Sequence, residues 1–477
     1  MPISSVGLGS GLNAESIITQ LMAVERQPLI KLESQETALK AKVSLFGKVQ
    51  SLFADLQSAS KDLASAALWA QTTASSNSSA VGVVTGSGAV AGNYAVAVQQ
   101  LANAQTATSA GFASSSSTLS SGTLTIDLGT WTGTPVSGFT AKTGSAPVVI
   151  TIAAGATSLA AVRDQINAAG AGVTASIITD ASGARLSLRS TATGAENGFR
   201  VTATEAIDDG NAATGLSALG YNALAASPMA LNLAARDARA TINGIAITSA
   251  SNTLAGLVDG NTLTLFATTT TDANVAVTAD TEGARKAIDK FVSAFNGLAS
   301  FLHGQTKYDA DSKTAGPLQG NRTAIGLQYQ LRGVLNQAST ASSVYATLSD
   351  VGIVMKSDGT LETRAAKLDA ALVNRSELKK LFATAGADNA GTGFMVRFRN
   401  LADAALGAEG TLDTATTTLQ SQIKNLGKRE DALELRLLAT EKRLRAQYEA
   451  LDKRMAGLNS LSNYVTAQLA AWNKPAA

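Results

Sequence analysis

Apolar side chains recur at three- and four-residue spacing near both ends of the chain and at two-residue spacing through its middle. The first spacing predicts amphipathic helices and the second predicts half-buried strands. Near the N-terminus, Leu29, Leu32, Leu39, Val43, Phe46, Val49, Phe53, Leu56 and Leu63 mark one helix face, with Glu36 at a position expected to be apolar. This helix is predicted from Asn13, a good N-cap followed by Glu15 and Ser16, to about Leu68. Pro28 should kink or interrupt it one turn before the seam begins. The repeated three-residue step ending at Val49 reads as a stammer.

The C-terminal pattern is stronger. Its seam reads Leu419, Ile423, Leu426, Glu430, Leu433, Leu437, Thr440 and Leu444. After one inserted residue it resumes as Tyr448, Leu451, Met455, Leu458, Ser462, Val465, Leu469 and Trp472. Glu441/Arg445 and Glu449/Lys453 occupy the outer face at i,i+4 in the favourable order. A helix of this extent would be roughly 80 Å long. It needs partner helices, in this chain or another.

Between the terminal helices the chain alternates strand-like runs with turn signals. One block holds Gly122–Asp127, Val148–Ile152, a helical piece over Leu159–Ala168, then Val173–Ile178 and Arg185–Leu188. A second runs from Ala240–Ile245 through Thr262–Phe266 to Val275–Val277, and Tyr94–Val98 alternates in the same way. The Ser/Gly-rich stretch 113–122 and the Ala/Asn-rich stretch 211–232 bracket the first block, which reads as an inserted domain. Helical spacing returns at Ile288, Phe291, Phe295, Leu298 and Leu302, with further helices expected at 323–337 and 362–382. The fold class is therefore α+β and multidomain: long terminal coiled-coil helices and a helical bundle carry two β-rich heads, one inserted in the other. The expected domains are a terminal coiled-coil stalk (1–45 and 438–477), a helical bundle (46–75 and 281–437), a β-rich head (76–112 and 236–280) and an inserted β-rich head (113–235).

Composition narrows the function by exclusion. Charged residues make up 16% of the chain and balance to +2, which gives no electrostatic footprint for nucleic acid. There is no cysteine, so thiol catalysis, disulfides and thiolate metal sites are excluded. The single histidine, His303, would need a nucleophile and an orienting acid to act as a base, and nothing nominates either. A cation near a helix C-terminus accounts for it. Gly7-Leu8-Gly9-Ser10-Gly11-Leu12 lacks the third glycine of a dinucleotide fingerprint and follows no strand. Asp309-Ala310-Asp311-Ser312-Lys313 opens like a calcium loop but has Thr314 where glycine is required and Gly320 where glutamate is. It reads as a surface turn, as does Lys356–Gly359. No catalytic, cofactor or metal site is expected, no run is long enough to span a membrane, and the N-terminus lacks a secretory signal pattern.

The residues resemble the flagellar filament-capping family, also called hook-associated protein 2. The similarity rests on Ile3–Leu12, Leu21–Leu29, Gly92–Ala102, Ile242–Ile245, Phe291–Asn296, Leu348–Ile353 and Leu458–Val465. Ile166-Asn167-Ala168-Ala169-Gly170-Ala171-Gly172-Val173-Thr174-Ala175 is similar to the flagellin and hook "IN" motif, within the inserted head. The resemblance implies a non-enzymatic assembly factor: a small, pentamer-like ring of copies at the filament tip that helps exported flagellin fold and insert. It also implies hook–filament junction partners, passage through the flagellar export apparatus and an export chaperone. On this reading Leu29, Leu32, Leu39, Val43, Phe46, Leu433, Leu437 and Leu444 form the oligomerisation or partner seam, favoured over a wholly intramolecular coiled coil. Tyr448, Leu451, Met455, Leu458, Val465 and Leu469 form the seam for the chaperone. The alternatives are a surface adhesin binding mucus or glycans through its uncharged heads, and a filament-forming flagellin or hook-junction protein.

Overall fold

The computed structural model describes residues 13–311 and 313–472; the Gly7–Leu12 motif and the Ile3–Leu12 stretch lie outside them. The helices are α1 (Ala14–Glu25), α2 (Gln27–Leu63), α3 (Ala66–Ala70), α4 (Leu159–Ala168), α5 (Thr281–Thr306), α6 (Arg322–Asn336), α7 (Ala365–Val373), α8 (Arg375–Ala383), α9 (Phe394–Leu406) and α10 (Thr411–Trp472). The chain divides into two compact units, one of Met1–Trp69 with Thr281–Ala477 and one of Ala70–Asp280.

In the first unit the expected N-cap is present: Asn13 Oδ1 accepts from the Ser16 amide at 3.1 Å. The single helix expected to Leu68 is instead three pieces. The first break falls at Arg26, leaving Pro28 in the first turn of α2, where its missing N–H is not needed. The second follows Leu63, whose carbonyl accepts from the Trp69 indole at 2.8 Å. The helix expected over 362–382 is likewise a short strand, Leu361–Thr363, followed by α7 and α8 separated at Asn374. Helices α2, α5, α6, α8 and α9 enclose a core that includes Phe46, Phe53, Phe291, Phe295, Phe382 and Phe398. The rings of Phe291, Phe295 and Phe398 meet with centroids 5.2–6.4 Å apart.

The second unit holds two β cores. Around the first, a five-stranded antiparallel sheet contains strands Thr72–Ser76, Ala273–Ala279, Gly92–Gln100, Ala238–Ile242 and Ile245–Ser249 in that order. A three-stranded sheet of Thr253–Val258, Asn261–Leu265 and Val81–Thr85 completes it. The run expected as one strand at Ala240–Ile245 is a hairpin. Asn243 (φ 50°) and Gly244 (φ 81°) both take positive φ, as a tight two-residue β-turn requires. Around the second core, strand Gly122–Thr132 pairs with Gly198–Glu205, Gly138–Ala141 and Val148–Ile152. A sheet of Ala230–Leu233, Thr106–Thr108, Gly183–Ser190 and Val173–Asp180 lies across from it, with α4 at the position the sequence predicts. The "IN" asparagine fixes that helix: Asn167 accepts from the Ala175 amide at 2.7 Å and donates to its carbonyl at 2.9 Å. The chain passes between the cores at a two-way bridge of Asn103 and Arg236.

Candidate functional site

The candidate site is a set of helical seams along α1, α2 and α10. On α10, Leu437 is buried against Ile18 and Met22 of α1, with Leu29, Leu433, Leu444 and Tyr448 packed around them. Ile18 and Met22 were not among the expected seam residues; their four-residue spacing places both on one face of α1 and was the available signal. Arg445 fixes the rotation of α1. Its fork donates to both Glu15 carboxylate oxygens, at 2.7 and 2.8 Å, and at 3.2 Å to Glu441. This bidentate bond holds the Glu15 carboxyl below its ordinary range.

Helix α2 continues along α10 in the antiparallel sense. Leu29 shares a groove with Leu437, and Leu39 shares another of about 450 Å³ with Leu426. Leu29, Leu32, Leu39 and Val43 are half-buried, as are Leu433 and Leu444, while Phe46 and Leu437 are buried. Of the residues assigned to the partner seam, Leu29, Leu433, Leu437 and Leu444 already cluster within one chain, Leu39 shares a groove with Leu426, and Val43 and Phe46 pack into the bundle core. The reason is geometric: apolar seams on antiparallel α2 and α10 cover each other in a hairpin before any second copy is present.

The residues expected to meet a chaperone are placed differently. Tyr448 and Met455 are half-buried, but Leu451 is 42% exposed, Leu458 59%, Val465 47% and Leu469 55%, with Leu461 and Tyr464 beside them at 58% and 62%. Beyond the reach of α1, this stripe of α10 is apolar and exposed among the described residues.

The other candidates resolve into structural roles. His303 lies in the last turn of α5, beside Arg332 and Asp358, on a cavity of about 20 Å³ that holds no more than one water. Glu205, Asp208 and Asp209 bring carboxylate oxygens within 4.8 Å of one another. They accept from the amides of Ser217, Gly210 and Asn211, and so order their own loop. No helix among the described residues is long and apolar enough to cross a membrane.

Comparison with known proteins identifies the family. The profile "Flagellar hook-associated protein 2 N-terminus" matches residues 10–105, its C-terminal counterpart matches 235–460, and the "Flagellin hook IN motif" matches 138–192. The flagellar hook-associated protein 2 of Escherichia coli K12 is 34% identical, with 98% of each chain covered. An A-type flagellar hook-associated protein 2 from Pseudomonas aeruginosa is 30% identical, over 98% of this chain and 97% of its own. The crystal structure of the flagellar cap protein FliD D1-D2-D3 domains from Escherichia coli superposes with a TM-score of 0.59 and 32% identity, over 79% of this chain and 99% of that one. These names speak of hook association and capping and lend no support to an adhesin. With paired terminal helices, an IN-bearing β head and likeness along nearly its whole length, the chain belongs to the flagellar hook-associated protein 2 family, the flagellar cap proteins.

Proposed function

We propose that this chain caps the flagellar filament as a small closed ring of copies, and that the ring promotes folding and insertion of exported flagellin. The observation that carries this reading is the uncovered stripe from Leu451 to Leu469, which extends a seam already closed nearer the bundle. An apolar helix face of that length is a liability in a lone subunit and is removed by burial against another helix. In the assembled cap the covering helices belong to neighbouring copies or to hook–filament junction partners. Before assembly an export chaperone covers the same face while the chain waits to leave through the flagellar export apparatus. Negative-stain microscopy of purified protein tests the assembly: small closed rings are expected. Long open filaments would instead identify a filament-forming subunit.

A further inference from the structure

Two carboxylates interrupt the apolar pattern of the long seams, Glu36 on α2 and Glu430 on α10. The α2–α10 register brings them to one layer: Leu29 sits with Leu437 on one side of it and Leu39 with Leu426 on the other. Both glutamates are half-buried there, and Glu430 Oε1 is fully covered with no hydrogen-bond partner. The Glu36 carboxylate is held by Lys40 at 3.0 Å. The charges acting on Glu430 are Glu36, Glu33 and Lys40 from α2 and its neighbour Asp431 on α10, so one ammonium faces an excess of carboxylates. The adjoining grooves also carry Lys42 and Arg429 on one side and Arg26, Glu434 and Glu441 on the other, and beyond them the packing is apolar, in the bundle core containing Phe46 and Leu419 and in the Ile18–Met22–Leu437 cluster respectively.

We infer that the Glu36–Glu430 layer is a proton-responsive joint at which the α2–α10 hairpin parts before the apolar packing on either side of it. A covered, unpartnered carboxylate oxygen beside like charges disfavours the closed layer whenever Glu430 is ionised. Burial, and then Glu36 and Glu33, push its carboxyl above the ordinary range. The sign follows from that direction. A raised carboxyl contributes stability that is fully present below its ordinary pKa and is lost as pH rises through its folded value. The layer is therefore closed in acid and loose at neutral pH, without disturbing the Ile18–Met22–Leu437 cluster on one flank or the phenylalanine core on the other. This inference is independent of the capping reading, since it concerns one chain's own hairpin.

Amide hydrogen exchange on the full-length chain reads it directly, with rates referred to the unstructured-peptide rate at each pH. Peptides covering residues 30–40 and 426–434 should open about fivefold more often at about pH 7.5 than at about pH 5, while peptides over residues 46–56 should not change. Glu430→Gln should slow opening about tenfold at neutral pH and abolish the pH difference. Glu430→Met is the second variant, and the same outcome is expected of it. Glu434→Gln, which removes a carboxylate from the adjoining groove and not from the layer, should leave exchange unchanged. Equal protection at both pH values, a retained pH difference in Glu430→Gln and Glu430→Met, or the same slowing from Glu434→Gln would each overturn the joint.

Discussion

At the scale of single residues, two charged side chains fix the segment between α6 and the strand Ile353–Met355. Glu377 binds Lys380 at 2.6 Å and also accepts from the Ser342 hydroxyl at 2.8 Å and the Ser343 amide at 2.9 Å. These bonds, the lysine first, hold its carboxyl down at about 2 from an ordinary 4.5. A depressed carboxyl contributes stability above its ordinary pKa and loses it as pH falls through its folded value. Urea midpoints of the wild type and Glu377→Gln should therefore differ at neutral pH and converge as pH falls from 4.5 toward about 2. Arg397 is 4% exposed and donates to the carbonyls of Thr392, Ala338 and Ala390. Replacing it with Met removes three charge-assisted bonds and should cost about 3 kcal/mol by chemical denaturation. Neither role was legible in the sequence, because an arginine satisfied by distant carbonyls leaves no spacing to read. Asn243-Gly244 was legible in principle: an Asn-Gly pair between alternating runs signals a hairpin, and the apolar residues on both sides masked it as one strand.

At the scale of elements, periodicity served best where one face alone is buried. The helix at Leu159–Ala168 and the strand at Val148–Ile152 were placed to the residue, since each has a single apolar face and a clear turn at its ends. The interruption expected at Pro28 falls two residues earlier, at Arg26, while the α7–α8 division was missed because helical spacing persists across a one-residue interruption. Element geometry also separates folding from assembly on α10. Ile18→Asp would place a carboxylate in the Ile18–Met22–Leu437 cluster and should release α1, at a cost of several kcal/mol set by an unpaired buried charge. The double variant Leu451→Asp, Leu458→Asp alters residues that are 42% and 59% exposed, so the melting curve of the single chain should hardly move. Ring formation and chaperone affinity should fall sharply in the same protein. Calorimetry and sedimentation distinguish the two effects, and a double variant that still assembles and still binds would move the assembly surface off α10.

At the scale of the whole molecule, the β unit enters and leaves the chain through one antiparallel pair. Thr72 faces Ala279 across it, and the Asp280 amide donates to the Gln71 carbonyl at 3.0 Å. Such an entry closes the unit without help from the helices, so a fragment spanning residues 70–280 should fold alone with a β-type spectrum. Its two cores are not independent beads. The Ala195 amide donates to Asp237 Oδ1 and the Thr193 hydroxyl to the Ala250 carbonyl, both at 2.7 Å. Gly194 lies against Ala250 with φ 105°, and a Cβ there would stand 2.6 Å from the Ala250 Cβ. A glycine is required at that point both by backbone conformation and by the closeness of the facing strand end. In the wild-type fragment the cores should therefore melt in one cooperative transition, because the bonds at Asn103, Asp237 and Ala250 couple them. Gly194→Val forces the junction apart while leaving both hydrophobic clusters intact. Scanning calorimetry should then resolve two transitions where there was one. A single unshifted transition in the variant would mean that the coupling runs through the Asn103–Arg236 bridge alone.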